Sequence, residues 1–234
     1  MHEMEQYFYN GQVHLSLQVA KQVKEDAPEA QTAKQLIALY ERYGVATIPC
    51  YSEKGQQSVE RADETYVEMD EVAEIRAIQD EEAFGKRIKQ LEQVAKEGTS
   101  AEKAQSLFTQ GQLFLYAHHY DESVHCFMQA VKHHPNKAVY YGIAAQTMNR
   151  FSYPPFEVLG YLERAIDLDP QNARWYWNKA LVLTQLYKDL KKDLFLEHAL
   201  MSLEQAQENC REEQKSLKTA IENTFENMRE YLFQ

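Results

Sequence analysis

Three histidines and a cysteine lie within ten residues of one another in the stretch YDESVHCFMQAVKHHP, which runs from Tyr120 to Pro135. Imidazole and thiolate groups are the usual ligands of zinc, so this cluster raises the question of a metal site. Two ligands on one helix share a face when they are three or four residues apart. Here His125 and His133 are eight residues apart, and so are Cys126 and His134. The spacing therefore favours surface or helix-capping histidines, and we expect neither a metal nor another cofactor.

Other patterns that carry chemistry are not found in the sequence. It has no glycine-rich phosphate loop, no Cys-x-x-Cys pair and no serine between the glycines of a nucleophile elbow. The three cysteines, Cys50, Cys126 and Cys210, are odd in number and far apart, which argues against a disulfide framework. We therefore expect a protein that is not an enzyme. An enzyme or metal protein that uses the histidines or an acidic segment is the alternative from a different class.

Composition and charge narrow the choice of partners. The chain of 234 residues has a formal net charge of −11, so it repels nucleic-acid phosphates and anionic lipid surfaces. Only 8 glycines and 6 prolines are present, which is typical of a mostly helical chain with short connections. No apolar run approaches the length of a transmembrane helix, and the start MHEMEQYFYN does not read as a secretory leader. We expect a cytoplasmic protein that is not inserted in a membrane.

The histidine stretch is one copy of an internal repeat. It aligns with PFEVLGYLERAIDLDP, which starts at Pro155, and every matched pair is 35 residues apart. The matched pairs are Ser123 with Val158, Phe127 with Leu162, Ala130 with Ala165, and Pro135 with Pro170. A third copy, LEHALMSLEQAQ, repeats the internal spacing with Ala199, Leu203 and Ala206. The small residues Gly111, Ala145 and Ala180 also recur, at intervals of 34 and 35 residues.

Two antiparallel helices in each unit account for this pattern. The small residues lie where the two helices cross, because a small side chain lets the backbones approach closely. Pro135 and Pro170 end the second helix of their units, since proline cannot continue a helix. One hairpin of this kind cannot bury its apolar face alone, so the units are expected to stack.

The segments GQLFLYAHHYDESVHCFMQAVKHHP (111–135) and YLERAIDLDPQNARWYWNKALVL (161–183) resemble the tetratricopeptide repeat family, which repeats every 34 residues. The resemblance implies an all-α fold in which helical hairpins stack as an α-solenoid. Residues 101–234 are then an array of about three units, with an amphipathic helix over 212–232 as the C-terminal cap. Two departures from the pattern lengthen the turn of the second unit at 152–155 and that of the third at 188–194.

Residues 1–100 are expected to form a separate N-terminal helical region. Residues 11–28 weakly repeat the pattern of a second helix, which indicates a degenerate repeat, and 30–44 has helical periodicity. A break follows at 45–58, and 60–82 is an acidic segment that we interpret as a solvated helix face or, alternatively, as a metal or basic-partner site. A further amphipathic helix is expected at 84–96. Thr99 or Ser100 is expected to cap the next helix, with Lys103 in place of the acidic partner of a capping box.

The resemblance also implies a function, because tetratricopeptide arrays hold peptides or partner helices in a concave groove lined by the first helices. The residues predicted to face this groove are Gln105, Phe108, Gln112, Tyr116, Gln146, Asn149, Arg150, Arg174, Trp177 and Gln185. Aromatic and arginine side chains are enriched at binding hot spots, and amides pair with a peptide backbone. For Phe108 and Trp177 the alternative is that they pack between neighbouring units.

Several versions of this function are open. Arrays that capture the acidic tails of heat-shock chaperones carry a clamp of Lys, Asn, Asn, Lys and Arg. The corresponding residues here are Phe108, Gln112, Ile143, Arg174 and Asn178, so capture of such tails is not expected. A small chaperone for a secreted or aggregation-prone client and a regulatory protein that responds to a peptide or small ligand are the alternatives. A homodimer through the N-terminal half is a further partner hypothesis.

Overall fold

The computed structural model describes residues 2–9, 13–42 and 81–232. These residues form eleven α-helices and no strand, which confirms the all-α prediction for this part of the chain. The predicted break at 45–58 and the acidic segment up to residue 80 lie outside the described residues. The helices are α1 (Glu3–Tyr9), α2 (Val13–Gln22), α3 (Ala30–Arg42), α4 (Glu81–Glu97), α5 (Ser100–Tyr116), α6 (Tyr120–His133), α7 (Ala138–Arg150), α8 (Pro155–Leu168), α9 (Ala173–Leu190), α10 (Asp193–Asn209) and α11 (Lys215–Leu232).

Helix α5 begins with a complete capping box. The Thr99 side chain accepts a hydrogen bond from the Glu102 backbone N–H, and the Glu102 carboxylate accepts one from the Thr99 backbone N–H. The Thr99 backbone N–H and the Thr99 hydroxyl both donate to the Glu102 carboxylate, and these two bonds lower the pKa of that carboxyl. The expectation that Lys103 leaves the box without an acidic partner is wrong. With Thr99 as the cap, the third helical residue is Glu102.

Three pairs of consecutive helices form hairpins: α5 with α6, α7 with α8, and α9 with α10. Each hairpin turn contains one non-glycine residue in the left-handed conformation, His118, Ser152 or Lys191, with φ values of 63°, 59° and 52°. Such a residue ends the first helix and redirects the chain. The predicted long turn of the third hairpin is wrong, because α9 continues to Leu190 and only residues 191–192 separate it from α10.

The two helices of the first hairpin touch through Gly111. A Cβ atom at this position would lie 2.6 Å from Cε1 of Phe127, which is fully buried. Beside this contact, the buried Ser123 hydroxyl donates a 2.7 Å hydrogen bond to the Gly111 carbonyl. The small residue predicted at the crossing point therefore makes room for an aromatic ring of the opposite helix. Ala145 and Ala180, the corresponding residues of the next two units, are also fully buried.

A hydrogen bond of the same kind joins the N-terminal helices α1 and α2. The buried Ser16 hydroxyl donates to the Met4 carbonyl at 2.7 Å, across the same twelve-residue separation as Ser123 and Gly111. Helix α2 also packs against α8. Because α8 additionally contacts α7 and α9, it is buried on nearly every side, including the charged residues Glu163 and Arg164.

Contacts between successive hairpins are largely aromatic. Phe108 of α5 lies against Tyr140 of α7, with ring centroids 4.7 Å apart. The ring of Trp175 on α9 occupies the space that a side chain at Gly142 of α7 would need. Helix α9 contacts α7 on one side and α11 on the other. The first helices of the second and third hairpins and the C-terminal helix therefore lie next to one another.

Two glycine-to-alanine substitutions test this packing with opposite signs. Gly111→Ala should destabilise the protein by about 1–3 kcal/mol, because the Phe127 ring has no space to move. Gly85→Ala should stabilise it by about 0.5–1 kcal/mol, because no described atom beyond its chain neighbours and its own helix backbone lies within 4 Å of the new Cβ, and alanine favours the helix. Denaturant unfolding of both variants measures the difference. Equal effects of the two substitutions would contradict the close crossing at Gly111.

Candidate functional site

A cleft of about 710 Å³ opens between α7, α8, α9 and α11. Its walls are the C-terminal end of α7 with the following turn, the first residue of α8, the second half of α9 and the second half of α11. The lining residues are Asn149, Ser152, Tyr153, Pro155, Leu181, Thr184, Gln185, Lys188, Asp189, Thr224, Asn227, Met228 and Tyr231. Clefts of this size hold small ligands and short peptide segments.

Helix α11 is held in place by its apolar face. Leu217, Ile221 and Met228 are buried, as the sequence pattern predicted for this helix. Two polar contacts join it to α9: the Trp177 indole N–H donates to the Thr224 hydroxyl at 3.0 Å, and the Thr184 hydroxyl donates to the Met228 sulfur at 3.5 Å. Nearer the mouth, the ring centroids of Tyr187 and Tyr231 are 5.9 Å apart. Helix α11 therefore forms one wall of the cleft as well as covering the end of the last hairpin.

The structure brings part of the predicted groove set together at this cleft. Asn149 and Gln185 line it directly, and half-buried Trp177 contacts it through Thr224. Arg150 follows Asn149 in the chain and is exposed. Gln146 and Arg174 are half-buried on α7 and α9 but do not line the cleft.

The four predicted groove residues of α5 do not line this cleft. Phe108 is only 5% exposed and lies between the rings of Phe127 and Tyr140, so the prediction that it faces a groove is wrong. Gln105 accepts a 2.9 Å hydrogen bond from the Tyr140 hydroxyl and so takes part in the same contact between units. Gln112 is half-buried, whereas Tyr116 is 58% exposed at the end of α5.

Sequence reasoning missed the residues that α11 and the α7–α8 turn contribute. The helical run of the C-terminus predicted only a cap, yet Thr224, Asn227 and Tyr231 complete the cleft. A signal was present, since an amphipathic helix that follows the last hairpin packs against it and brings the residues at the edge of its apolar face next to α9. Tyr153 is held in the wall by its hydroxyl, which donates to Asp121 at 3.3 Å. Burial, and then the Asp121 charge, raises the pKa of this hydroxyl.

The charged groups of the described cleft lining are Lys188 and Asp189. The Asp189 carboxylate accepts a 2.9 Å hydrogen bond from the Gln185 amide. The Lys188 ammonium lies 5.4 Å from the centroid of the Tyr231 ring, over its face. Within the described residues Lys188 makes no ion pair, so its charge is available at the mouth of the cleft.

The residues of the histidine stretch and the turn before it have local structural roles. His118 takes the left-handed turn position, where histidine is enriched among non-glycine residues, and its Nδ1 lies 2.8 Å from the Tyr120 hydroxyl. Cys126 is buried, and burial raises the pKa of its thiol to about 11, which makes it a poor nucleophile at neutral pH. In the described ranges no group of three or more His, Cys, Asp or Glu side chains is arranged to hold a metal ion.

Comparison with known proteins adds no relative from which a function could be transferred. No protein-family model matches the chain, and no curated protein matches it significantly. Among the described helices, none is both long enough and apolar enough to cross a membrane.

The bond between Trp177 and Thr224 can be tested with a double-mutant cycle. Trp177→Phe and Thr224→Val each remove one partner of the hydrogen bond and keep most of the side-chain volume. We expect a coupling energy of about 0.5–1.5 kcal/mol from denaturant unfolding of the two single variants and the double variant. The pair Thr219→Val with Trp177→Phe is the control, because exposed Thr219 bonds only within its own helix. Additive effects in the first cycle would mean that α11 is not held against α9 by this bond.

Proposed function

We propose that this chain is a non-enzymatic protein–protein interaction module of the tetratricopeptide type, which holds a peptide or partner helix in the cleft between α7, α9 and α11. The observation that carries the proposal is the cleft itself. It is open to solvent, large enough for a chain segment, and lined on opposite walls by helices of successive units. The expected partner is another protein or a peptide, and the expected compartment is the cytoplasm.

Three recurring features support stacking of the hairpins as an α-solenoid. Consecutive hairpins contact each other, and α9 touches the neighbouring first helix α7 as well as α11, which follows the last hairpin. The left-handed turn residues His118 and Ser152 are 34 residues apart, which is the period of the repeat. The hydroxyl bond across the helix crossing is found in the N-terminal pair and in the first hairpin.

The polar groups of the cleft suit a polypeptide ligand. Asn149 on α7 and Asn227 on α11 make no side-chain hydrogen bond within the described residues, and both line the cleft. A primary amide offers two donors and one acceptor oxygen, so it can bond both groups of a peptide unit. Leu181, Met228 and the Tyr153 ring add apolar surface for one or two side chains. This mixture favours a selective binding site over the apolar lining expected of a general chaperone for aggregation-prone clients.

A regulatory protein that responds to a peptide is the second candidate, and one observation favours it. Helix α8 reaches the cleft through Pro155 at its start and also contacts α2 of the N-terminal region. A ligand that moved α8 would therefore act on the packing of the N-terminal helices. The chaperone alternative lacks a comparable observation.

A substitution that fills the cleft tests the proposal. Asn227→Trp places a large ring at an exposed cleft position of α11, whereas Asn223→Trp places the same ring one turn earlier, where it is exposed but does not line the cleft. Both variants should unfold within about 0.5 kcal/mol of the wild type, because neither position is in the core. Partners are captured from a lysate of the native host by each protein and identified by mass spectrometry.

We expect a partner that the wild type and Asn223→Trp retain and that Asn227→Trp loses. Retention of every partner by Asn227→Trp would move the binding surface away from the cleft and would overturn the proposal.

A further inference from the structure

We infer that the cleft takes a short, extended and mostly uncharged peptide segment that places one carboxylate beside Lys188. This inference rests on the proposed function, because it assumes that the cleft is the binding site. It goes further because it specifies an extended segment instead of a partner helix. It also specifies a ligand with one carboxylate and Lys188 as the residue that binds this carboxylate.

The size of the cleft decides the conformation of the ligand. A helix with its side chains is about 10–12 Å wide and rises 1.5 Å per residue, so each residue fills roughly 120–170 Å³. A cleft of about 710 Å³ therefore holds roughly four to six residues. A free peptide of this length does not form a stable helix in water, because helix nucleation is unfavourable. An extended segment of the same size needs no such nucleus, and it exposes its backbone groups to the cleft walls.

The distribution of charge decides the chemistry of the ligand. Asp189 is already engaged by Gln185, whereas the Lys188 ammonium has no carboxylate partner within the described residues. The ammonium lies 5.4 Å from the centroid of the Tyr231 ring, and the Lys188 side chain is exposed to solvent. A single carboxylate of the ligand, from an acidic side chain or from its C-terminus, can pair with it. A strongly acidic ligand is disfavoured because the whole chain carries a net charge of −11.

The uncharged part of the lining suits the rest of the segment. Asn149 and Asn227 come from two different walls, so they can bond the backbone of a strand that passes between them. Gln185 lies one helical turn from Lys188 on α9, so the carboxylate end is placed on the α9 side of the cleft. We therefore expect one acidic residue at an end of the segment, with apolar or small residues beside it.

The test selects binders from two displayed libraries of random linear peptides, of six and of twelve residues, with the wild type and Asn227→Trp panned in parallel. Peptides enriched by the wild type alone are synthesised, and their Kd values are measured for wild type, Lys188→Met, Lys188→Arg and Lys192→Met. Lys192 is the matched control, because it is exposed at the same end of α9 but does not line the cleft. We expect one acidic residue in the enriched peptides and a loss of affinity of about three- to tenfold for Lys188→Met. Lys188→Arg should restore most of that loss, and Lys192→Met should leave the affinity unchanged.

The outcomes separate this inference from the proposed function. Enriched peptides that Asn227→Trp excludes, but that lack an acidic residue or bind Lys188→Met as well as the wild type, would overturn the inference and leave the cleft as a peptide site. Binding that is retained only by peptides longer than about eight residues with helical periodicity would overturn the extended conformation. If no peptide distinguishes the wild type from Asn227→Trp, the inference fails together with the proposed function for peptide ligands.

Discussion

The close approach of paired helices is the constraint on which the rest of the structure depends. At Gly111 the backbone of α5 comes so near to α6 that the Phe127 ring occupies the place of a side chain. Between the next units, Trp175 lies over Gly142 in a similar way. These contacts set the distance between helices and between hairpins, and so they bring α7, α9 and α11 side by side. The cleft lies where the second halves of α9 and α11 face the end of α7 and the α7–α8 turn.

The same packing determines which residues of the first helices are buried and which line the cleft. Phe108 and Trp175 contact a neighbouring unit from the first helices, and both are buried. Asn149 of α7 and Gln185 of α9 line the cleft instead. Buried residues and cleft-lining residues are therefore found on the same helices. Trp177 is intermediate between the two groups, because its ring is half-buried and its indole N–H donates to Thr224 on α11.

Much of the fold could be predicted from the sequence, and the site only in part. Helical periodicity and the recurring Gly111, Ala145 and Ala180 located the hairpins, because small residues at a fixed interval have a direct steric cause. The extension of α9 across 188–190 was not predicted, since insertion length alone does not say whether extra residues form a turn or lengthen a helix. Phe108 was misplaced because the residues around it in the chain do not show which neighbour packs on its other side. The cleft wall on α11 was missed because its residues become neighbours of Asn149 only through three-dimensional stacking.

The central claim is that the functional surface is the cleft between α7, α9 and α11. Hydrogen–deuterium exchange of the protein with and without a partner captured from its native host tests this most directly. We expect slower exchange on binding in the segments that line the cleft, at 149–155, 181–189 and 224–231. Protection confined to α2, α3 or the outer face of α6, with these three segments unchanged, would contradict it.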